Sequence, residues 1–285
     1  MSLAGKTIIM SGGSRGIGEA IAVKAAADGA NVALLAKTSE PHPKLPGTIY
    51  TAAEAVEAAG GQALPLVGDV RDDAFVEDAV RQTAERFGGI DIVVNNASAI
   101  DLSRTEDISM KKYDLMNDIN CRGTFLLSKT ALPHLRAAAN PHVLTLSPPI
   151  DLDPKWHTTF TAYTIAKFGM SLVTLGLAGE LREDGVAVNS LWPRTAIDTA
   201  AVRNVVGPGL TSSSRTPQIM ADAAYEILTR PSREASGQFF IDDDVLEAAG
   251  VTDFSGYLNG GTEEDLALDF WVEPKGATGS RHSLA

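Results

Sequence analysis

The sequence is poor in cysteine and in clustered positive charge, and these two shortages exclude several classes of protein. Cys121 is the only cysteine, so no disulfide can form within the chain; this suits a reducing compartment, and we expect a cytoplasmic location. The 24 lysines and arginines are outnumbered by 36 acidic residues and form no basic stripe. Because binding to a phosphate backbone requires clustered cations, nucleic acid is not an expected partner.

Long hydrophobic runs are also missing. No apolar run reaches the roughly 20 residues that cross a membrane. The N-terminal stretch MSLAGKTIIMSGG enters a strand pattern without a signal-peptide layout. We therefore expect no membrane span, and the 44% apolar residues among 285 are enough to form the core of a large α/β domain.

Short apolar runs alternate along the chain with patterns typical of helices. Strands are expected at 6–12, 31–37, 62–70, 90–97, 142–147, 186–193 and 237–242. Because this order builds right-handed βαβ units, it predicts an α/β fold, a Rossmann-type doubly wound parallel sheet of about seven strands with helices on both faces. The continuous apolar character of the runs fits strands that are buried on both sides.

The domain organisation follows from the same pattern. No break in the alternation is visible before about residue 245, so residues 1–285 are interpreted as a single dinucleotide-binding catalytic domain. Three irregular segments interrupt or follow it: an insertion at 38–48, a loop at 194–215 and a C-terminal extension at 255–285. We expect the loop to contribute to a substrate pocket.

A glycine-rich turn follows the first expected strand and opens the first expected helix. Gly12, Gly16 and Gly18 permit a tight turn and let the backbone approach a pyrophosphate at the helix N-terminus, where free N–H groups favour anions. The spacing is G-x-x-x-G-x-G rather than the commoner G-x-G-x-x-G, and a plain strand–helix connection is the alternative. The position between strand and helix favours a dinucleotide-binding turn.

The end of the second expected strand bears on the choice of cofactor. An acidic residue there would bind the ribose 2′-hydroxyl of NAD, but the sequence has Ala36, Lys37 and Thr38. Together with Arg15 in the glycine-rich turn, Lys37 favours a 2′-phosphate and therefore NADP(H). Glu40 lies close enough in the sequence to keep NAD(H) as the alternative.

A tyrosine and a lysine, Tyr163 and Lys167, lie four residues apart in an expected helix, so their side chains share one face. A free phenol has a pKa near 10 and is a poor base at neutral pH. A cation held beside it favours the phenolate and lowers that pKa. Such a pair suits a tyrosine that protonates a carbonyl oxygen or, in reverse, takes the proton of an alcohol.

These segments together resemble the short-chain dehydrogenase/reductase family, over about residues 3–245. The resemblance rests on GGSRGIG (12–18), Asp69-Val70, Asn95-Asn96-Ala97, Asn120, Tyr163-x-x-x-Lys167 and the pair Asn189 and Pro193. A finer similarity, to a subgroup whose members often carry a C-terminal sterol-carrier domain, rests on SPP (147–149), AYTIAKFGMS (162–171) and LWPRTAIDTAA (191–201). We assign no part of this sequence to such a domain.

The resemblance implies a role for each matching residue. Tyr163 would be the catalytic acid/base, Lys167 would lower its pKa and bind the nicotinamide ribose, and Asn120 would hold a helix irregularity and a water. The residues implied to bind the cofactor are Gly12, Ser14, Arg15, Gly16, Ile17, Gly18, Lys37, Asp69, Val70, Asn96, Ala97, Tyr163, Lys167, Pro193 and Ile197. The family also implies a homodimer or homotetramer, formed through the helices expected at 109–139 and 160–182.

The sequence departs from the family pattern where a hydroxyl donor is usual. The family ends its fifth strand with two serines, and the second donates to the substrate carbonyl; here Ser147 takes the first place and Pro148 the second. Proline has no backbone N–H to offer instead. We keep Ser147 as the candidate donor, with a threonine or histidine of the loop 148–159 as the alternative. Two glycines of the family pattern are also replaced, by Ser98 and Arg194.

We therefore predict an oxidoreductase that transfers a hydride between NADP(H) and a small, apolar carbonyl or alcohol substrate. The alternative is a non-catalytic module that binds NADP(H) or a lipid and has lost full activity. The histidines show no metal-ligand spacing, so no metal site is predicted. The acidic run Asp242-Asp243-Asp244 is expected to be solvated.

Overall fold

The computed structural model describes residues 1–42, 45–205 and 208–275. The predicted insertion at 38–48 and the predicted loop at 194–215 therefore lie partly outside the described residues, as does the end of the C-terminal extension. Everything that follows concerns the described residues.

Seven parallel strands form one sheet. The strands are β1 Thr7–Ser11, β2 Asn31–Ala36, β3 Gln62–Val67, β4 Ile92–Asn95, β5 His142–Thr145, β6 Ala187–Trp192 and β7 Phe239–Ile241. Their order across the sheet is β3-β2-β1-β4-β5-β6-β7, so the winding direction switches between β1 and β4. This confirms the predicted doubly wound sheet, and in such sheets ligands bind beyond the carboxyl ends of the strands at the switch point.

Helices cover both faces of the sheet, as predicted. They are α1 Gly16–Ala27, α2 Ile49–Ala58, α3 Asp73–Phe87, α4 Met110–Asn117, α5 Gly123–Ala137, α6 Thr161–Glu180, α7 Ala200–Val205, α8 Gln218–Leu228 and α9 Asp242–Ala248. One buried apolar cluster joins the sheet to α1, α2 and α8. A second cluster joins the opposite face to α3, α5 and α6. The continuous apolar strands are therefore buried from both sides.

The long helix α6 carries the predicted tyrosine and lysine. Its 20 residues include an 18-residue window with a mean hydropathy of 1.2, so the helix is long and apolar enough to cross a membrane by length and composition alone. Buried residues make up 61% of that apolar window, and they pack in the core between the sheet and neighbouring helices. A core helix passes the same test, so this composition is weak evidence for a membrane span.

The acidic run Asp242-Asp243-Asp244 was expected to be solvated, and this expectation is wrong for its first two members. Asp242 is 0% exposed and Asp243 is 2% exposed, because the run forms the first turn of α9 and folds against the sheet. Asp243 accepts two hydrogen bonds from the Arg194 guanidinium, at 2.7 and 2.8 Å. A long-range cation therefore compensates a charge that looked free in the sequence.

Candidate active site

A cleft of about 1100 Å³ opens at the carboxyl ends of the strands. Among the predicted site residues it is lined by Gly12, Ser14, Arg15, Gly16, Ile17, Lys37, Asp69, Val70, Asn96, Ala97, Tyr163, Lys167, Pro193 and Ile197. The structure thus brings together residues from six separate segments of the chain. Gly18, Asn120 and Ser147 are not part of this lining, and their positions are described below.

The glycine-rich turn forms one wall of the cleft. Gly12 adopts a φ of 75°, and a Cβ atom there would lie 2.7 Å from the Cα atom of Ala97. Gly18 lies behind the wall, where a Cβ atom would lie 2.5 Å from Asn96 Nδ2. Asn96 Nδ2 itself donates to the Gly12 carbonyl at 2.8 Å and so ties β4 to the turn. Only glycine fits these two positions, which leaves the backbone open to a ligand.

The start of α1 is suited to an anion. Its N-cap residue is Arg15, whose side chain makes no capping hydrogen bond to the first turn. The first N–H groups of the helix are thus left without a side-chain acceptor, at the positive end of the helix dipole. A phosphate group would satisfy them.

Two cations lie at the far end of the cleft, where β2 ends. The Arg15 guanidinium donates to the carbonyls of Pro46 and Gly47, at 3.0 and 2.8 Å, and so fastens the insertion to the glycine-rich turn. Lys37 Nζ lies 2.9 Å from Asp69 Oδ2, with 61% of its side chain exposed. Asp69 also accepts from Arg71, and these two cations hold the pKa of its carboxyl far below the usual range.

Tyr163 lies at the opposite end of the cleft, in the first turn of α6. Its side chain is 6% exposed and packs against Trp271, with ring centroids 5.6 Å apart. Burial raises the pKa of the phenol, the charge of Asp269 raises it further, and the neighbouring Ser98 hydroxyl opposes the rise. The phenol is therefore neutral in this state of the protein.

Lys167 lies one turn further along α6 and is 3% exposed. Its Nζ donates to the Leu146 carbonyl at 2.6 Å and lies 4.8 Å from the centre of the Trp192 ring. Burial lowers the pKa of this ammonium to about 7, and the charge of Asp269 opposes the fall. The predicted pair is thus brought to one end of the cleft, as the i and i+4 spacing required.

Asn120 lies behind the cleft, in a five-residue π-helical turn, Asp118–Arg122, that separates α4 from α5. Its Oδ1 accepts from the Ala99 N–H at 2.7 Å, and its Nδ2 donates to the Ala99 carbonyl at 3.1 Å. The implied helix irregularity is therefore present at this residue. The two hydrogen bonds fix the chain after β4, which carries Ser98 into the cleft.

Ser147 does not reach the cleft. It is 0% exposed, and its hydroxyl shares a 2.8 Å hydrogen bond with the Ser190 hydroxyl, which in turn donates to Thr174 Oγ1 at 2.9 Å. Ser147 lies beyond the end of β5, where its N–H donates to the Thr145 carbonyl at 3.0 Å and its side chain faces the core. Pro148, in the second serine position of the family pattern, is also buried and is not part of the cleft lining. The prediction of a carbonyl donor at Ser147 does not fit this geometry.

The loop after β5 offers no substitute at the cleft among the described residues that line it. The His157 ring nitrogen Nε2 contacts the Asp151 carbonyl at 2.8 Å, and the Trp156 indole N–H donates to Asp151 Oδ2 at 3.0 Å. Thr158 Oγ1 donates to the Lys155 carbonyl at 3.3 Å. These polar groups stabilise the loop itself.

Sequence reasoning missed one wall of the site, which the C-terminal extension supplies. Asp269 and Phe270 line the cleft beside Tyr163 and Lys167. Trp271 lies behind them, 4% exposed and in contact with the rings of Tyr163 and Trp192. The hydropathy of this short segment carries no periodic signal; the cluster of an acid with two aromatic residues, DFW, was the only visible feature.

Comparison with known proteins agrees with this geometry. The family model for short chain dehydrogenases matches residues 6–207. Hydroxysteroid dehydrogenase-like protein 2 of Danio rerio is 58% identical over 255 residues, which cover 90% of this chain and 61% of that protein. Its human counterpart is 52% identical, with 90% and 60% covered. The chain thus spans about three-fifths of the length of these curated relatives.

A solved structure extends the likeness to three dimensions. The crystal structure of a short chain dehydrogenase from Mycobacterium thermoresistibile is 55% identical and covers 98% of this chain and 100% of its own, with a TM-score of 0.91. The finer similarity seen in the sequence is confirmed by the curated relatives above. The chain belongs to the short-chain dehydrogenase family.

Proposed function

We propose that the protein is an NADP(H)-dependent dehydrogenase/reductase that interconverts a carbonyl group and an alcohol, with Tyr163 as the acid/base. One observation carries this proposal. A single cleft joins the glycine-rich turn, with Arg15 and Lys37 nearby, to Tyr163 and Lys167 at its other end. The nicotinamide, when bound, supplies or accepts the hydride.

The chain's own groups fit the phosphates of such a cofactor. The glycine positions that exclude a Cβ atom and the uncapped start of α1 suit a pyrophosphate. Lys37 and Arg15 suit a 2′-phosphate, and β2 ends without the acid that would bind a ribose 2′-hydroxyl. Lys37 is exposed enough to turn from Asp69 to a phosphate, and Arg15 faces the same end of the cleft. These features favour NADP(H) over NAD(H).

Tyr163 handles the proton in this proposal. Burial raises the pKa of its phenol, which suits the reductive direction, because a neutral phenol has a proton to give to a carbonyl oxygen. In the oxidative direction the phenol must first lose that proton. The positive charge of Lys167 then favours the phenolate. Burial lowers the pKa of Lys167 to about 7, and phosphate charge arriving in the cleft would raise it again.

The walls beside Tyr163 favour an apolar substrate. Ile100, Trp192 and Phe270 line this end of the cleft, and pockets of this kind bind a ligand through apolar surface and a few polar groups. We propose a small aromatic or lipid-like carbonyl compound, or the matching alcohol, as the substrate class.

A second candidate function is a non-catalytic module that binds NADP(H) or a lipid. Two observations favour it: Tyr163 is 6% exposed beneath Phe270 and Trp271, and Ser147 lies outside the cleft. Against it, Tyr163 and Lys167 meet in one cleft with Asn120 directly behind it, and binding alone would not require Asn120.

The assembly and the location of the protein are proposals of the same kind. Phe125 on α5 and Ile165 and Leu172 on α6 are 48%, 47% and 58% exposed, and apolar side chains on adjacent helices are suited to a contact between copies. We propose a homodimer or homotetramer formed through these helices. We also propose a cytoplasmic location, which suits a chain with one unpaired cysteine.

Tyr163→Phe tests the function directly. Wild type and variant would be compared for oxidation of NADPH in the presence of aromatic and long-chain ketones. We expect the variant to lose turnover and to keep most of its NADPH binding, because only the phenolic hydroxyl group is removed. A variant with unchanged turnover would contradict the acid/base role. Tight NADPH binding with no turnover by either protein would favour the non-catalytic module.

A further inference from the structure

The segment 267–272 of the C-terminal extension lies across the carboxyl end of β6. The N–H of Asp269 donates to the Arg194 carbonyl at 2.9 Å. The Trp192 indole N–H donates to the Phe270 carbonyl, also at 2.9 Å. The backbone of this segment is therefore fixed at the cleft by Trp192, the last residue of β6, and by Arg194, two residues further along the chain.

Trp271 anchors the segment from behind. Its indole N–H donates to the Trp156 carbonyl at 3.1 Å, and its ring lies 5.6 Å from those of Tyr163 and Phe168. Its φ of 62° is a left-handed conformation that bulky residues rarely adopt. Strain of this sort persists where the surrounding packing outweighs it, and it is frequent at functional sites. Segment 267–272 is therefore a fixed structural part of the site.

This anchoring places one ionisable group, Asp269, in the cleft with Tyr163 and Lys167. The carboxyl is partly buried, and the charge of Asp269 acts on the pKa of both neighbours. Its Oδ1 accepts the N–H of Phe270 at 2.7 Å. A proton on this carboxyl therefore belongs on the other oxygen, Oδ2.

Reduction of a carbonyl at Tyr163 benefits from a second donor, which holds the carbonyl oxygen as negative charge develops on it. Ser147 cannot serve, since its hydroxyl is bonded to Ser190 in the core. Pro148 has no N–H and no polar side chain. A donor has to come from another part of the cleft.

We propose that Asp269, in its neutral form, donates a hydrogen bond from Oδ2 to the substrate carbonyl oxygen and so replaces the serine displaced by Pro148. This inference rests on the proposed function. The carbonyl carbon gains the hydride and its oxygen gains the proton of Tyr163, which leaves a neutral alcohol and a phenolate. Asp269 shares its own proton through the hydrogen bond and keeps it.

The surroundings of Asp269 favour the neutral form. Burial raises the pKa of this carboxyl to about 7, and the charge of Asp242 at the start of α9 adds to the rise. The hydrogen bond from the Phe270 N–H and the charge of Lys167 on α6 oppose it, but burial has the larger effect. Tyr163, the third ionisable group facing it, is itself neutral. An anionic Asp269 would repel the charge that develops on the carbonyl oxygen, whereas a neutral carboxyl held in an apolar site stabilises it.

Ser98 is the competing donor. It is exposed, lines the cleft, and lies near enough to the phenol to affect its pKa. Its position after β4 is fixed by the two hydrogen bonds between Asn120 and the neighbouring Ala99. We assign to Ser98 the role of contacting the phenol, and the test below separates it from Asp269.

The test compares four variants of the full chain on one aromatic α-diketone with NADPH: Asp269→Asn, Asp269→Ala, Ser98→Ala and Tyr163→Phe. Asparagine keeps a donor at this position, so Asp269→Asn should retain most turnover, while Asp269→Ala should lose about 10² to 10³-fold, the effect of removing one preorganised donor. Wild-type turnover should decline as pH rises through about 7, and Asp269→Asn should lose this decline. NADPH binding should stay unchanged in both Asp269 variants.

Three outcomes would overturn the inference while the proposed function stands. One is full turnover by Asp269→Ala. Another is an equal loss in Asp269→Asn and Asp269→Ala, which would mean that the carboxylate acts as an anion. The third is a loss of about 10² to 10³-fold in Ser98→Ala alone. Full turnover by Tyr163→Phe would instead defeat the proposed function.

A second readout needs no substrate. Infrared difference spectra between acid and neutral pH should contain the C=O stretch of a protonated carboxyl that titrates near pH 7 and disappears in Asp269→Asn. Asp242→Asn is the matched control, because burial raises the pKa of Asp242 to about 7 as well. A spectrum in which Asp242→Asn alone removes such a band would overturn the neutral form of Asp269.

Discussion

Replacement of Arg194 by methionine should destabilise the protein through the C-terminal segment. The Arg194 guanidinium donates to Asp243 at 2.7 and 2.8 Å, lies 2.6 Å from Asp244 and donates to the Glu273 carbonyl at 3.1 Å. Methionine keeps most of the apolar volume and removes every one of these interactions. The variant therefore leaves the buried carboxylate of Asp243 without its main partner.

The expected loss in the free energy of unfolding follows from the burial of the ion pair between Arg194 and Asp243. The side chains of Arg194 and Asp243 are 11% and 3% exposed, and removing one partner of a buried ion pair costs about 3–5 kcal/mol. Lys275 at 3.6 Å and Arg215 at 4.0 Å still face Asp243 in the variant. We therefore expect a loss at the lower end, about 3 kcal/mol in the free energy of unfolding.

Urea denaturation of wild type, Arg194→Met and Arg194→Met/Asp243→Asn measures this loss. The double variant should recover part of it, because the uncompensated charge is gone. Arg136→Met is the matched control: its pair with Asp184, at 2.7 Å, is 51% and 33% exposed and should contribute at most about 1 kcal/mol. Losses of similar size in Arg194→Met and Arg136→Met would refute the reasoning.

Three further predictions concern the cleft. Lys37→Ala should weaken NADPH binding about tenfold to a hundredfold, through loss of a charge-assisted hydrogen bond, and leave NADH binding unchanged in a fluorescence titration; equal losses would contradict it. Ser147→Ala should lower the free energy of unfolding by about 1 kcal/mol without reducing turnover, and a large loss of turnover would restore Ser147 as the donor. The pKa of Asp269 is raised to about 7 in the folded state. The contribution of its neutral carboxyl to the free energy of unfolding is therefore fully present below about pH 4 and is lost as pH rises to about 7. In urea denaturation at several pH values, Asp269→Asn should reduce this pH-dependent fall in the free energy of unfolding to the part that Asp242 causes. A pH dependence unchanged from that of the wild type would contradict the raised pKa of Asp269.

The fold was predictable because its signals are local. Each strand is a short apolar run, and each helix between strands has its own periodicity and ends. The glycine-rich turn was predictable for the same reason, since Gly12 and Gly18 are required by contacts within one βα unit and its neighbouring strand. Strand bounds shifted by at most three residues, most clearly at β3, which ends at Val67 rather than at residue 70, and at β4, which is Ile92–Asn95 rather than 90–97.

The errors arose where distant segments meet. Asp242 and Asp243 looked solvated because Arg194, which compensates Asp243, lies about 50 residues away in the sequence. Ser147 looked like a donor because the sequence does not show that Ser190 and Thr174 occupy its hydroxyl.

The wall of the cleft that the C-terminal extension supplies was missed for a related reason. Asp269 and Phe270 reach the site only because the C-terminal extension folds back across the end of β6. Hydropathy periodicity does not register a segment that contributes single side chains rather than a face. The assigned roles of Tyr163, Lys167 and Asn120 stay predictions, although the structure places all three in or directly behind one cleft.

The most direct measurement is a titration of the protein with NADPH and with NADH, followed by nicotinamide fluorescence. It requires no knowledge of the substrate and bears on the cleft that joins Arg15 and Lys37 to Tyr163. The account predicts clearly tighter binding of NADPH than of NADH, by about tenfold or more, since a 2′-phosphate would gain charge-assisted hydrogen bonds. Equal binding of the two, a preference for NADH, or binding of neither would contradict it.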